Sequence, residues 1–160
     1  MTRALHAVEV DSRGRPVEAF CGHCGRPPEV TEAQPATRVC RRCGLGLVLQ
    51  APKGIAPLVA EPFVVVDSRL EVCAVSRKAE DLLGVPETRA VNRNISEFLT
   101  PAEAEASGPE DLLTQLVVAA TSQEDAHTVV VRPVGEFGVR YRARIGPCGP
   151  PRAALIVLGE

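Results

Sequence analysis

The sequence predicts an α+β protein in two unequal parts, and three observations carry that expectation. Two Cys-x-x-Cys pairs crowd into the first fifty residues among short Val- and Phe-bearing runs. From residue 61 onward, apolar runs and helical stripes follow in the order strand, strand, helices, strand, strand, strand. Between the two lies the Pro-rich stretch QAPKGIAPLVAEP, residues 50–62. The expected organisation is a small β ribbon over residues 1–50, a linker over 51–60 and a larger domain over 61–160.

Composition sets the limits. The chain has 160 residues, 45% hydrophobic but only 3% aromatic with no Trp, so its core must be built from Val, Leu, Ala and Ile. The net charge is −2, which does not advertise nucleic acid or a membrane surface. Residues 1–60 carry eight basic and five acidic side chains; residues 61–160 carry ten and fifteen. No apolar run approaches the roughly 18–20 residues that span a bilayer. The opening MTRALHAVEV has no apolar signal core, being interrupted by His6 and Glu9. A cytoplasmic protein is expected, and in a reducing compartment six cysteines read as metal ligands or buried thiols rather than disulfides.

In the first part, LHAVEV and PVEAFC flank DSRGR and read as a hairpin turning at Ser12–Gly14. The second strand delivers Cys21. The full cysteine pattern is C-x2-C-x15-C-x2-C over Cys21, Cys24, Cys40 and Cys43, a spacing expected of a zinc site. Two residues between cysteines fold the chain back so that both sulfurs face one point. The glycines that follow, Gly25 and Gly44, permit a left-handed turn that aims backbone N–H groups at the thiolates. A redox Cys-x-x-Cys usually stands alone at a helix N-terminus, a setting absent around Cys21. This stretch resembles the zinc-ribbon family over about residues 5–50. One structural Zn²⁺ per chain is expected, with its shell closed by four thiolates and no open position for catalysis. His23, inside the first knuckle, is read as an exposed turn residue. Arg26, Arg38, Arg41 and Arg42 surround the knuckles and are read as compensating the thiolate charge, with nucleic-acid contact as the alternative.

In the second part, FVVVD is a buried strand ending at Asp67, SR a turn and LEVCAV a second strand. Ser76 caps a helix, RKAEDLLG, with Ala79, Leu82 and Leu83 at helical spacing and Gly84 as its stop. Asp67, Ser76, Ala79, Leu82, Leu83 and Gly84 together resemble the opening of a PAS domain. VNRNISEFLTP resembles that family's next segment, with Asn92 where Gly is common. Thr100, Pro101 and Glu103 read as the capping box of a short helix, and Ser107 and Glu110 as that of a longer one striped by Leu112, Leu113, Leu116, Val117 and Ala120. AHTVVVRP, GVRYRARIG and RAALIVL supply three closing strands.

The resemblance covers about residues 61–159. It implies a five-stranded antiparallel sheet with helices on one face, and a sensory or protein-interaction role. The ligand pocket it implies would be lined by Val64, Val66, Ala74, Leu82, Ile95 and Leu99, with Leu112, Leu116, Val129, Val131, Tyr141 and Ala143. The same residues serve equally as packed core, the reading preferred for want of a polar anchor.

No haem or flavin is expected. Flavin photochemistry in that family needs a Cys in NRNISEFL, which has none; residues 107–122 hold no axial His; and His127 reads as a solvated strand end. Arg140, Arg142 and Arg144 alternate with Val139, Tyr141, Ala143 and Ile145, placing three guanidiniums on one sheet face as a candidate interaction surface. Cys73 is read as core and Cys148 as exposed.

No Ser/His/Asp arrangement, P-loop or dinucleotide fingerprint appears, so no catalysis is expected. The chain reads as a signalling or regulatory module: a PAS sensor or interaction domain with a structural zinc ribbon, a homodimer through that domain, acting on an unidentified protein partner. The alternative is a transcription-associated regulator whose ribbon contacts nucleic acid or polymerase.

Overall fold

The computed structural model describes residues 8–30, 33, 37–102 and 109–160. Its architecture is α+β. Strand β1 (Val17–Cys21) pairs antiparallel with β2 (Val48–Pro52) in a two-stranded ribbon. A second, larger antiparallel sheet contains β3 (Phe63–Val66), β4 (Val72–Val75), β5 (Leu99–Pro101), β6 (His127–Pro133), β7 (Tyr141–Cys148) and β8 (Ala153–Gly159), in the order β4-β3-β8-β7-β6-β5. Helices α1 (Arg77–Leu83), α2 (Glu87–Ala90) and α3 (Pro109–Thr121) lie in the sequence between β4 and β6. Among the described residues no helix is long and apolar enough to cross a membrane.

Local chemistry explains these elements. Asp67 ends β3 because its Oδ1 accepts the N–H groups of Arg69 and Glu71, at 2.8 and 3.0 Å, closing a turn in which Leu70 takes φ 67°. Ser76 caps α1 by accepting the Ala79 N–H, and Gly84 ends it at φ 65°. Asn92, at the position where the resemblance expected glycine, adopts φ 68°. Asparagine is among the few side chains that tolerate that region, so the departure keeps the turn.

The β3–β8 part of the sheet is buried on both faces. The inner face packs Val64, Val66, Ala143, Ile145, Ile156 and Leu158 against Ala79, Ala90, Leu112 and Leu116. The outer face packs Phe63, Val65, Leu155 and Val157 against Phe20, Leu49 and Ala51 of the ribbon, with Ile55 and Ala56 just beyond it. Every residue of FVVV is buried, as are six successive residues of β8, because both sides of these strands are covered.

Several expectations are corrected. The described sheet has six strands rather than five. Leu99–Pro101 is β5, paired with Pro133, Arg132 and Val131. Thr100 is therefore a strand residue and not a helix cap; burial of Leu99 fixes the strand, and its edge position tolerates Pro101. The remainder of that capping box, and Ser107, lie outside the described residues. Ala51 and Pro52, read as linker, end β2, and Ile55 is only 1% exposed because it fills the notch above Gly146, where a Cβ would lie 3.1 Å from its Cγ1. The two cysteines exchange places: Cys73 is exposed, whereas Cys148, the last residue of β7, is buried beneath the ribbon.

Candidate metal centre and the sheet face beneath it

The two knuckles are built alike. In the first, the Gly25 N–H donates to the Cys21 carbonyl at 2.9 Å with Gly25 at φ 73°; in the second, Gly44 donates to Cys40 at 2.8 Å with φ 71°. Both glycines occupy the left-handed region that the sequence reading required of them. The Cys21 sulfur accepts the N–H groups of His23 and Cys24, at 3.3 and 3.4 Å. The knuckles are brought together by the β1–β2 pairing, by the Val39–Leu47 bridge and by the Gly22 N–H donating to Leu47. Gly46 sits in the seam. A Cβ there would lie 2.3 Å from the Cys21 sulfur and 2.7 Å from the His23 nitrogen.

All four sulfurs of Cys21, Cys24, Cys40 and Cys43 lie within 4.8 Å of one another. Cys21 and Cys43 are 3.6 Å apart, and Cys24 and Cys40 3.9 Å. A tetrahedron of sulfurs each about 2.3 Å from a central ion has edges of about 3.8 Å. A disulfide would need about 2.05 Å, and all six cysteines are free thiols. The donor set therefore fits one metal ion held by four sulfurs.

Burial and backbone N–H groups act on these sulfurs in opposite directions. Burial pushes the Cys21 thiol up to about 12 and raises Cys24. Cys43 moves the other way, to about 6: burial acts against its thiolate, but the N–H groups of Gly46 and Leu45 and the neighbouring Cys21 and Cys40 outweigh it. Four thiolates at this separation need a cation between them.

His23 is half-buried rather than exposed, with Nδ1 buried and unpartnered. Its carbonyl accepts the Arg77 N–H at 2.9 Å, tying the first knuckle to the start of α1. The surrounding arginines differ in their engagements. Arg42 pairs with Glu29 at 2.9 Å, Arg38 donates to the Pro150 carbonyl at 3.3 Å, and Arg26 and Arg41 are exposed.

The ribbon is fixed to the rest of the chain at three further places. Phe20, beside Cys21, meets Phe63 edge to face. Gln50 and Gly149 exchange backbone hydrogen bonds of 2.6 and 3.0 Å. Arg13 and Arg15, flanking the hairpin turn at Gly14, donate to the Gln123 carbonyl, and Arg15 also pairs with Asp125 at 2.9 Å. A groove of about 440 Å³ runs along the seam, lined by Leu45, Leu47, Val65, Cys73 and Ala74 together with Asp67 and Glu87.

Eleven of the twelve residues read as pocket lining, all but Ala74, sit in or against the inner core. Ala74 packs on the outer face, because an irregularity in the β3–β4 register reverses the alternation there. Of the arginine column, Arg144 is held by Glu61, its two guanidinium nitrogens donating at 2.9 and 2.8 Å, while Arg140 and Arg142 are exposed. Sequence reasoning missed Glu61, Gly46 and Phe20. The only signal for them was the continuous apolarity of FVVV and AALIVL, which calls for a cover on both faces.

No family model matches the chain, and no curated protein matches it. Solved structures similar to it include the PAS domain of an HTR-like protein from Haloarcula marismortui (18% identity, 61% of this chain and 83% of that chain covered, TM-score 0.47). Another is the PAS domain of nitrogen regulation protein NR(II) from Vibrio parahaemolyticus (17% identity, 67% and 94% covered, TM-score 0.46). A third is the Cronobacter turicensis RpfR quorum-sensing receptor PAS domain in complex with BDSF (13% identity, 66% and 98% covered, TM-score 0.46).

Proposed function

We propose that this chain is a cytoplasmic regulatory module that works by protein contact, without catalysis of its own, and that its four-cysteine centre holds one structural Zn²⁺. The observation that supports its metal centre is the convergence of four cysteine sulfurs within 4.8 Å of one another, beside the apolar layer in which Phe20 packs on Phe63. A four-thiolate shell leaves no position for water, so the ion acts as a cross-link and not as a Lewis acid. Its binding contributes about 10 kcal/mol or more to folding in small zinc units of this kind. Cys21, Cys24, Cys40 and Cys43 hold the ion; Gly25, Gly44 and Gly46 shape the knuckles around it.

A homodimer, expected from the resemblance, would have to form away from the β3–β8 half of the outer face, which the ribbon covers. The competing reading, a ribbon that touches nucleic acid, is weakened by the engagement of Arg42 with Glu29 and of Arg38 with Pro150. Native mass spectrometry of the full chain purified without chelator tests the first reading. One zinc per chain supports it, and a folded chain without metal overturns it. Duplex-DNA titration at two salt concentrations, repeated with Arg41→Ala/Arg42→Ala, tests the competitor. Steep salt dependence lost in the double variant would establish the nucleic-acid reading in its place.

A further inference from the structure

We propose that the half of the outer sheet face left bare by the ribbon docks an acidic segment of a different protein. The inference rests on the reading of the chain as an interaction module and names its partner's chemistry.

Arg144 marks the boundary between the two halves. It stands opposite Val157 on one side and Thr128 on the other, and Glu61 of the connector neutralises it through two hydrogen bonds. The half beyond it, formed by β7, β6 and β5, is different in kind. Alternation places Ala143 and Ile145 in the inner core, and so Arg142 on the outer face, opposite Val130. The same rule places Arg132 there, opposite Thr100, since Val131 is inner. Arg140 is exposed one residue before β7. None of the ion pairs among the described residues involves Arg132, Arg140 or Arg142.

Like charges crowded on one sheet face destabilise it, and here they gather in the part of the chain that is otherwise acidic. An apolar component accompanies them. The Arg132 guanidinium stacks 4.3 Å over the Phe137 ring, which is 79% exposed in the β6–β7 turn, and Val134 in the same turn is also exposed. The pair presents a pre-formed cation beside bare apolar surface.

The occupant that satisfies both features is a protein segment carrying carboxylates and at least one apolar side chain. Arg140 and Arg142 are two residues apart, about 6–7 Å along an extended chain, the repeat at which alternate carboxylates of an extended segment recur. The chain already uses this chemistry once, at Glu61 and Arg144. A second copy does not fit: a two-fold contact centred on this face would set the arginines against their own counterparts. A phosphate backbone would engage the guanidiniums but leave Phe137 and Val134 without an apolar partner.

The test uses the full, metal-bearing chain and a fluorescein-labelled twelve-residue peptide of Asp, Glu, Leu and Phe, followed by anisotropy. Arg142→Glu and Arg132→Glu are each expected to weaken binding at least tenfold, Arg142→Ala several-fold and Phe137→Ala several-fold. Arg77→Glu, an exposed site on α1, should leave it unchanged. Raising salt from about 50 to 200 mM should weaken binding. Equal binding by wild type and Arg142→Glu, or by a peptide with Asn and Gln in place of its acids, overturns the proposal. So does a wild-type dimer in light scattering that Arg142→Glu dissociates, or tighter Arg142-dependent binding of duplex DNA. Zinc content and thermal unfolding of each variant separate the two claims: a folded, zinc-bearing chain that ignores the peptide defeats the docking face alone, whereas a folded chain without zinc defeats the module reading.

Discussion

Phe20 meets Phe63 edge-on, with ring centroids 5.3 Å apart and planes at 86°, and this contact joins the four-cysteine ribbon to the sheet. Phe20 precedes Cys21 of the cysteine cluster, and Phe63 opens β3. Both are fully buried. The cysteine cluster and the outer face of the sheet are thus one structural unit, packed through the same layer. Phe63→Ala is expected to cost about 3–5 kcal/mol, as large-to-small changes at buried aromatics do, and Phe63→Leu markedly less. Urea unfolding followed by circular dichroism measures both.

Gly46 has no room for a side chain, since a Cβ would overlap the Cys21 sulfur. Gly46→Ala should therefore lower the metal content of the purified protein, read by elemental analysis. Gly14→Ala is the comparison. Gly14, unlike Gly46, has positive φ, at 76°, but nothing lies within 4 Å of its Cβ position, so its cost should be about 1 kcal/mol with the metal retained.

Asn92 tolerates its left-handed backbone at the turn after α2. Asn92→Gly should leave stability within about 0.5 kcal/mol of wild type, and Asn92→Ala should lose about 1 kcal/mol. Equal stability of the two variants in urea titration would contradict the role given to this backbone angle.

Glu61 is held below its ordinary value near 4.5, first by its hydrogen bonds from Arg144 and also by the Leu58 N–H, against the opposing effect of burial. The folded-state value is depressed, so the pair adds stability above the unfolded carboxylate's pKa. That stability is lost as pH falls through the folded value. Acid also displaces metal from thiolates. The difference between wild type and Glu61→Gln isolates the ion pair: the wild-type advantage in urea midpoint should be constant from pH 7 to about 5 and shrink below pH 4.5.

Much of this was legible in the sequence. The Cys-x-x-Cys spacing named the four sulfurs that converge, and Gly25 and Gly44 announced the turns that aim them. Asp67, Ser76 and Gly84 marked their turn, cap and stop because each acts through its own backbone neighbourhood. What failed was long-range. Thr100 carried a helix-cap pattern, but burial of Leu99 and pairing with Arg132 made it a strand. Ile55 looked like linker until Gly146 gave it a notch to fill. Cys148 sat in a Gly/Pro-rich turn by sequence, yet the ribbon above it removes it from solvent. Local pattern cannot show which face another element will cover, although the unbroken apolarity of β3 and β8 did signal two covered faces.

Thiol accessibility, counted by intact mass and mapped by peptide, tests most directly whether the metal ribbon is the cover of the sheet. Cys73 is exposed, whereas Cys148 lies under the ribbon at 7% exposure, with burial pushing its thiol up to about 12. In the metal-bearing chain iodoacetamide should modify Cys73 and spare Cys148 and the four ligands. After removal of the metal with a chelator, the four ligands and Cys148 should all become reactive, because loss of the centre releases the ribbon from the sheet. Alkylation of Cys21, Cys24, Cys40 and Cys43 with Cys148 still protected would contradict the account.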